Sequence, residues 1–263
     1  MATAEAPIIR VRDMVYYAEE PNLLDGAGFK PILDGITFQV YRGEVFGIMG
    51  MSGAGKTSIL RLLMGLVPPH SGDIEVLGQS IVGMSEQQLN EVRMEMGMCF
   101  QYSALLDSLT VAENVAFTMR RRSDLSNDEI KRKVAEHLEI VGMAGHEEQM
   151  PAELSGGMKK RVGIARALAT NPQIMLYDEP SAGLDPIMAS VIDELIVRLR
   201  EELQMTSVVV THEVDELFAI ADRIMMIYEG RVIASDSPVA LRESENAYVQ
   251  QFVQGRAEGP VVV

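Results

Sequence analysis

The most constraining feature of the sequence is a glycine-rich segment between an apolar run and a helical run. Residues 45–49 have the unbroken apolar character of a buried strand, and residues 58–64 have the period of a helix. The segment between them fits the pattern G-x-x-x-x-G-K-[ST] and consists of Gly50, Met51, Ser52, Gly53, Ala54, Gly55, Lys56 and Thr57. A strand, such a loop and a helix in this order predict an α/β fold with a ligand site at the loop.

The residue types in this loop suit a phosphate group. Glycines let the backbone turn tightly, so that successive amide hydrogens converge on phosphate oxygens, and the helix N-terminus adds partial positive charge. Lys56 supplies a full positive charge, Thr57 would give its hydroxyl to Mg²⁺, and Ser58 completes the predicted nucleotide-binding set. The alternative is a glycine-rich turn that ends in Lys-Thr by chance. The strand and helix on either side favour the nucleotide site, which alone indicates only a nucleoside triphosphatase.

Two adjacent carboxylates follow a second apolar strand. Residues 174–177 are apolar, and Asp178 and Glu179 come directly after them. Since open α/β sheets bind ligands at the carboxyl ends of strands, Asp178 is predicted to hold Mg²⁺ and Glu179 to polarise the attacking water. Phosphoryl transfer needs a separate group for each task. The alternative, an acidic turn before Pro180, is less favoured because a phosphate-binding loop requires such an acidic element.

The order of apolar and helical segments predicts the architecture. Apolar, partly β-branched segments alternate with helical stretches, which indicates a parallel-sheet core, and the N-terminal strands are expected to form an antiparallel β-subdomain. Strand signals are absent from about residue 104 to 171, where a helix begins with a capping box at Ser126 and Glu129. We therefore expect a single domain over residues 1–244, with the helical subdomain inserted at 104–171, and a C-terminal tail at 245–263.

The composition excludes some classes of function. The 263 residues carry a formal net charge of −15, which argues against a general nucleic-acid binder, whose surface is normally basic. The single cysteine, Cys99, cannot form an internal disulfide, and without a leader-like N-terminus we expect a reducing cytosolic compartment. Cys99 itself is predicted to be a small buried hydrophobic residue.

Residues 154–158, Leu-Ser-Gly-Gly-Met, complete a set of motifs just before a predicted helix at 159–169. The set resembles the nucleotide-binding subunit of ABC transporters, with the phosphate-binding loop, a Q-loop at Gln101, the signature at 154–158, the acidic strand end, a D-loop at 181–185 and a switch His212 in the family's order. The resemblance covers about residues 8–236. It implies the ABC ATPase fold, a P-loop NTPase fold, with ATP and Mg²⁺ as cofactors.

The resemblance also implies roles for single residues. Gln101 senses Mg²⁺ and the attacking water, His212 contacts the γ-phosphate, and Asp185 of the D-loop belongs to the nucleotide-binding set. Taken alone, Gln101 and His212 would each be better explained as a structural side chain, and their roles rest on the resemblance. An aromatic residue from the N-terminal strands stacks on adenine in the family, for which we select Tyr17, with Tyr16 as the alternative.

The signature implies a second copy of the chain. Ser155, Gly156 and Gly157 are expected at a helix N-terminus, which is an anion site for the same physical reasons as the phosphate-binding loop. In the family, the signature of one subunit closes over the γ-phosphate held by the other subunit. A head-to-tail homodimer that sandwiches two ATP molecules is therefore expected.

Residues 100–117 and 153–163 look like those of the Mla/Mce-type lipid-transport ATPases, in which a methionine such as Met158 replaces the usual glutamine. This branch implies an ATPase that powers a membrane permease moving phospholipids or related lipids between membranes. The implied partners are transmembrane permease subunits and a lipid carrier of the Mce-domain type, and the implied location is the cytoplasmic face of the inner membrane. The tail at 245–263 has two interpretations: it contacts the neighbouring subunit, or it is disordered.

Two other functions are open at this point. An ABC importer of a small polar solute differs in the permease and solute-binding partners that it would use. A soluble ABC ATPase of DNA repair or translation is a different class, but such proteins typically carry a coiled-coil insertion or tandem ATPase modules, which this sequence does not show.

The remaining surface features have two interpretations each. Basic clusters at residues 120–122, 131–133 and 159–161 are predicted to be solvated helix faces, although the first would also suit anionic headgroups or the permease. The apolar stretch at 102–109, together with residues 147–153, is predicted to contact the permease. The alternative for these stretches is ordinary packing within the helical subdomain.

Overall fold

A computed structural model describes residues 6–18, 30–122 and 125–261, with the backbone alone for residues 121 and 122. The chain divides into two compact units, residues 1–92 with 210–263 (unit 1) and residues 93–209 (unit 2). The side chains of residues 121 and 122, which belong to the first basic cluster, and the last two residues of the tail lie outside the described part.

Strands and helices of the described residues are numbered in chain order. The strands are β1 (Ile9–Tyr16), β2 (Leu33–Val40), β3 (Val45–Gly50), β4 (Ser71–Val76), β5 (Gln79–Ser80), β6 (Met96–Cys99), β7 (Ile174–Asp178), β8 (Thr206–Thr211), β9 (Arg223–Tyr228) and β10 (Arg231–Asp236). The helices are α1 (Lys56–Leu63), α2 (Glu86–Met94), α3 (Val111–Arg122), α4 (Asn127–Ile140), α5 (Gly156–Leu168), α6 (Pro186–Leu203), α7 (Val214–Ile220), α8 (Pro238–Arg242) and α9 (Ala247–Val253). Among the described residues, no helix combines the length and apolar character needed to cross a membrane.

In unit 1, the N-terminal strands form an antiparallel sheet in the order β2-β1-β4-β5. Ile9 of β1 lies opposite Val40 of β2 on one side and Val76 of β4 on the other, and all three side chains are fully buried. On the other face of the sheet, Arg10 Nη1 lies 2.9 Å from Glu75 Oε2. This alternation of buried and charged positions is what an antiparallel sheet with one covered face requires.

The strand that leads into the phosphate-binding loop is also in unit 1. β3 pairs in parallel with β9, which in turn pairs antiparallel with β10, and every residue of β3 is buried. Two side chains at the start of β9 hold the start of β3. Asp222 Oδ2 accepts a hydrogen bond from Val45 N at 2.8 Å, and Arg223 Nε donates to Oε1 of the preceding residue, Glu44, at 2.8 Å. These contacts fix the position of β3 along β9, and with it the position of the loop that follows β3.

Unit 2 is mainly helical. The described residues between 104 and 171 form α3, α4, α5 and a short 3-10 turn at Pro151–Glu153, and strands resume at β7, which pairs in parallel with β6. The capping box of α4 is present, because Ser126 N donates to Glu129 Oε2 at 2.8 Å and Glu129 N donates back to Ser126 Oγ. Hydrogen bonds to the Glu129 carboxylate from the Ser126 hydroxyl and from Ser126 N lower the pKa of Glu129 from its ordinary value. The predicted fold class, with parallel pairing, an antiparallel N-terminal sheet and an inserted helical segment, is confirmed.

Several elements differ from expectation. Helix α5 begins at Gly156, three residues before the predicted start at Lys159, because Ser155 caps it. Strand β4 was not predicted, because its only apolar side chains, the buried Ile74 and Val76, lie in an otherwise polar segment. Strand β10 was not predicted either, because its residues are half-buried or exposed and lack a period of two.

Asn114 holds the loop that precedes α3 in unit 2. Its fully buried side chain accepts a hydrogen bond from Leu106 N at 2.8 Å. Its amide nitrogen lies 3.1 Å from Leu106 O, 3.0 Å from Leu109 O and 3.0 Å from Thr110 O. One buried amide therefore satisfies backbone groups that would otherwise be buried without partners.

We predict that Asn114→Ala lowers the free energy of unfolding by about 2 kcal/mol, because it leaves buried amide and carbonyl groups without hydrogen bonds. Urea denaturation followed by circular dichroism measures the change. Asn127→Ala, at an exposed position of α4, is the matched control and should change stability by less than about 0.5 kcal/mol. Equal effects of the two substitutions would contradict the role of the Asn114 hydrogen bonds.

Candidate active site

The phosphate-binding loop lies in unit 1, where it joins β3 to α1. Gly55, the N-cap of α1, has a φ of 95°, a backbone conformation that side chains with a Cβ rarely adopt. A Cβ on Gly50 would collide with the backbone oxygen of Ile227 on β9. Glycine at both positions lets the loop turn away from β3 without displacing the neighbouring strand.

The Lys56 side chain is buried inside this loop. Its Nζ donates to Gly50 O at 2.8 Å and to Met51 O at 3.1 Å. Backbone carbonyls compensate an ammonium charge only in part, whereas hydrogen bonds between two ionised groups are about twice as strong as neutral ones. The loop therefore presents a positive charge that a phosphate oxygen would stabilise.

The predicted switch residue, His212, also belongs to unit 1. His212 follows β8, its side chain is 53% exposed, and its Nε2 lies 3.3 Å from Glu213 Oε1. His212 and Met51 of the phosphate-binding loop line the same cavity of about 500 Å³. Unit 1 thus brings the predicted switch histidine to the same cavity as part of the loop.

The C-terminal segment closes another side of this cavity. Residues 251–256 and Val261 line it, together with residues 213–215. The Gln251 side chain forms a pair of hydrogen bonds with Val261, since its Nε2 donates to Val261 O at 3.0 Å and its Oε1 accepts from Val261 N at 2.6 Å. Up to Val261, the tail is therefore fastened to α9 of its own chain.

Tyr17, the residue selected for adenine, lies just after β1. Its ring contacts His70 edge to face with centroids 5.0 Å apart, and its backbone N donates to His70 Nδ1 at 3.3 Å. The ring of Tyr16 also contacts His70, at 6.0 Å. Both tyrosines therefore lie against the same histidine, and the choice of Tyr17 stays a prediction.

The carboxylate pair lies in unit 2, at the end of β7. Asp178 and Glu179 are both buried, and the backbone of Glu179 has a φ of 48°. This left-handed conformation is costly for a residue with a Cβ, and it persists only where surrounding contacts enforce it. Tyr177 directly before the pair is fully buried, and burial raises its pKa.

The signature residues lie at the start of α5, also in unit 2. Ser155 is the N-cap, and its hydroxyl accepts a hydrogen bond from Met158 N at 3.3 Å. Gly156 is exposed, whereas a Cβ on Gly157 would collide with the side chain of Met188. An exposed helix N-terminus with a hydroxyl residue suits an anion, and the role of the signature toward a nucleotide stays a prediction.

The structure gives Asp185 a structural task. It caps α6, because its carboxylate accepts hydrogen bonds from Ile187 N and Met188 N, each at 3.1 Å. A carboxylate at this position is also favoured by the helix dipole. A role of Asp185 toward the nucleotide stays a prediction beside this capping role.

Lys160 is a residue whose environment the sequence analysis predicted wrongly. It was assigned to a solvated basic face, but it is 5% exposed, and its Nζ donates to Gln101 O at 2.6 Å and to Glu179 O at 2.9 Å. Burial lowers its pKa from the ordinary value. A signal was present in the sequence, since Lys160 lies between Gly157 and Ile164 at spacings of three and four residues, on the buried stripe of α5.

Arg166 was not singled out from the sequence. It lies near the end of α5, and its guanidinium donates to Ala104 O at 2.6 Å and Ser103 O at 2.8 Å. Ser103 and Ala104 have φ values of 57° and 46°. Together with Lys160, this arginine attaches the segment that follows Gln101 to α5.

Within the described residues, no group of three or more His, Cys, Asp or Glu side chains is arranged to hold a metal ion.

The fold and these loops define a class of protein, the P-loop nucleoside triphosphatases. A family model described as ABC transporter matches residues 33–182, so the chain belongs to the ABC transporter family, as one of its ATP-hydrolysing cassettes. MlaF of Haemophilus influenzae, an intermembrane phospholipid transport system ATP-binding protein, is 42% identical over 243 residues, 92% of each chain. The methionine import ATP-binding protein MetN of Carboxydothermus hydrogenoformans is 44% identical over 201 residues, 76% of this chain and 59% of that protein. A solved dimeric structure of an ATP-binding cassette, in a post-hydrolysis state with ADP and Pi, has a TM-score of 0.78, is 29% identical and covers 88% of this chain and 98% of that one.

The buried cysteine near Gln101 gives a test of packing at the site. Cys99 is 1% exposed, as predicted, and burial raises its pKa to about 11. Because the thiolate is the reactive form, we predict that a disulfide reagent such as dithionitrobenzoate modifies the native protein at pH 7.5 at least about 100-fold more slowly than it modifies the unfolded chain. The absorbance of the released thiol anion measures both rates. Rapid modification of the native protein would contradict the burial of Cys99.

Proposed function

We propose that this ATPase powers a membrane permease that moves phospholipids or related lipids between membranes. The observation that carries the proposal is the 42% identity to MlaF along 92% of both chains, because the similarity extends over nearly the whole of each chain. Met158 in place of the usual signature glutamine agrees with this branch. The proposed partners are transmembrane permease subunits and a lipid carrier of the Mce-domain type, and the proposed location is the cytoplasmic face of the inner membrane.

An importer of a small polar solute is the second candidate. It is favoured by the 44% identity to MetN, but that similarity leaves 41% of the MetN chain without a counterpart in this one. The shared segment is therefore the common ATPase part, which carries no information about the transported solute. Identification of the permease that co-purifies with the chain from membranes separates the two candidates.

The proposed roles follow the chemistry of each group. Lys56 and the loop amides, with Ser58 at the start of α1, bind the β- and γ-phosphates, and Tyr17 stacks on adenine. The Thr57 hydroxyl, the Asp178 carboxylate and the Gln101 amide oxygen are hard oxygen ligands of the kind that Mg²⁺ prefers. When bound, Mg²⁺ would neutralise charge that develops on the phosphates. Glu179 orients and polarises the attacking water, and His212 donates to the γ-phosphate.

A second copy of the chain would complete each ATP site. The exposed signature start at Ser155 and Gly156 has the features of a phosphate site, yet the phosphate-binding loop of the same chain already supplies one. A head-to-tail dimer uses both, and the related cassette with ADP and Pi is dimeric. We further propose that the C-terminal tail contacts the partner copy; the end of the tail, at Val261, is held to Gln251 of its own chain by two hydrogen bonds.

The surface beside Gln101 is proposed to contact the permease. In unit 2, apolar side chains of Phe100, Tyr102, Leu106 and Phe117 are exposed, and Tyr102 is 87% exposed. Exposed apolar side chains commonly mark protein–protein contacts where they cluster. Because Phe100 and Tyr102 directly flank Gln101 in sequence, a partner bound there would act on the segment proposed to sense the bound nucleotide.

The catalytic assignments predict opposite defects for two substitutions. Glu179→Gln should lower ATP turnover at least about 100-fold while ATP stays bound, because phosphate binding is kept and activation of water is lost. Lys56→Ala should weaken ATP binding at least about 10-fold, because it removes the charge at the phosphate site. Release of phosphate and binding of a fluorescent ATP analogue measure the two effects. Gel filtration with ATP should give a dimer for Glu179→Gln, and normal turnover in either variant would overturn the assignments.

The permease contact predicts a selective loss of assembly. Tyr102→Glu should lower co-purification of the membrane subunits with the tagged chain at least about fivefold, because a charge is then placed in an apolar interface. The ATP affinity of the isolated chain should stay within twofold, and Val239→Glu, at an exposed apolar position of α8, is the matched control. Undiminished co-purification of Tyr102→Glu would count against this surface as the contact.

A further inference from the structure

Helix α5 carries two cations, the buried Lys160 and the half-buried Arg166, whose hydrogen bonds described above all go to backbone carbonyls of the segments after β6 and β7. Lys160 donates to the carbonyl oxygens of Gln101 and Glu179, and Arg166 donates to those of Ser103 and Ala104. Three of these four acceptors have left-handed backbone, with φ between 46° and 57°. Such conformations persist only where other contacts enforce them, and here the enforcing groups are charged and belong to one helix.

We propose that Lys160 is a positioning residue for ATP hydrolysis, which ties the backbone of Gln101 to that of Glu179. The inference rests on the proposed roles of these two residues. Lys160 does not touch the nucleotide in this proposal. It sets the distance between the segment that senses the bound nucleotide and the segment that carries the water-activating carboxylate.

The chemistry of the ammonium group explains why a lysine suits this position. A buried charge is unfavourable unless it is compensated, and two carbonyl dipoles at 2.6 and 2.9 Å supply part of that compensation. The carboxylates of Asp178 and Glu179 also interact electrostatically with Lys160 and oppose the effect of burial on its pKa. The charge is thus stabilised most when both backbone segments and the carboxylate pair are in place together.

The position of Lys160 along α5 adds a mechanical link. It lies one helical turn after the signature residues Gly156 and Gly157. A helix moves as a stiff body, so a displacement at its N-terminus is passed on to the carbonyls of Gln101 and Glu179 through Lys160. Closure of a partner copy on the signature would by this route adjust the residue that activates water.

The test compares three variants of the full chain in complex with its membrane subunits. Lys160→Met keeps the length of the side chain but removes its charge and its hydrogen-bond donors, whereas Lys160→Arg keeps the charge and donors. Lys159→Met, at a half-buried neighbouring position, is the control. We expect Lys160→Met to lower kcat for ATP at least about 10-fold while KM and ATP affinity change less than about twofold, as for an interaction made only in the transition state. Lys160→Arg should recover most of the loss, and Lys159→Met should match the wild type.

A structural role alone would give a different pattern. Loss of packing would raise the reactivity of the buried Cys99 thiol and lower the melting temperature, whereas replacement of a buried charge by an apolar side chain often leaves a fold as stable as before. Unchanged kcat in Lys160→Met, or a lowered kcat accompanied by a reactive Cys99 and no rescue by arginine, would overturn the proposal. Glu179→Gln is measured alongside. If Glu179→Gln abolishes turnover while Lys160→Met leaves kcat unchanged, only the inference about Lys160 fails. If Glu179→Gln keeps normal turnover, the proposed role of Glu179 fails as well.

Discussion

Two buried ammonium groups, Lys56 in unit 1 and Lys160 in unit 2, hold functional loops of this ATPase through backbone carbonyls. Each donates to two carbonyl oxygens at 2.6 to 3.1 Å. Carbonyl dipoles compensate part of the charge of a buried cation, so each of these contacts stabilises both the ammonium group and the backbone that it holds. For Lys56 the proposed role of the charge is phosphate binding. Lys160 contacts the backbone beside the carboxylates, where the left-handed conformation of Glu179 is unfavourable on its own.

The sequence was sufficient to predict the fold class and the central loop, because these depend on local patterns. An unbroken apolar run predicted β3, and all of its residues are buried. The spacing of glycines before Lys56 predicted a turn that only residues without a Cβ can make beside β9. The capping box at Ser126 was predicted for the same reason, since its hydrogen bonds join residues three apart in the chain.

Contacts between residues far apart in sequence could not be predicted in this way. A run of three basic residues looked like a solvated face, and only the arrangement of α5 against the segment after β6 shows that Lys160 is inside. The carbonyls that it contacts are 59 and 19 positions away. The left-handed backbone at Glu179 was equally invisible, because nothing in the residue type requires it. The electrostatics of the site thus depend on tertiary packing, whereas its position in the chain depends on local pattern.

The hydrogen bonds between Gln251 and Val261 have a practical consequence for anyone who handles this protein. They place Val261 at the edge of the cavity that also contains His212 and Met51. A purification tag appended after Val263 would therefore begin two residues from that cavity. A tag at this end would therefore add chain directly after the segment that forms one wall of the cavity.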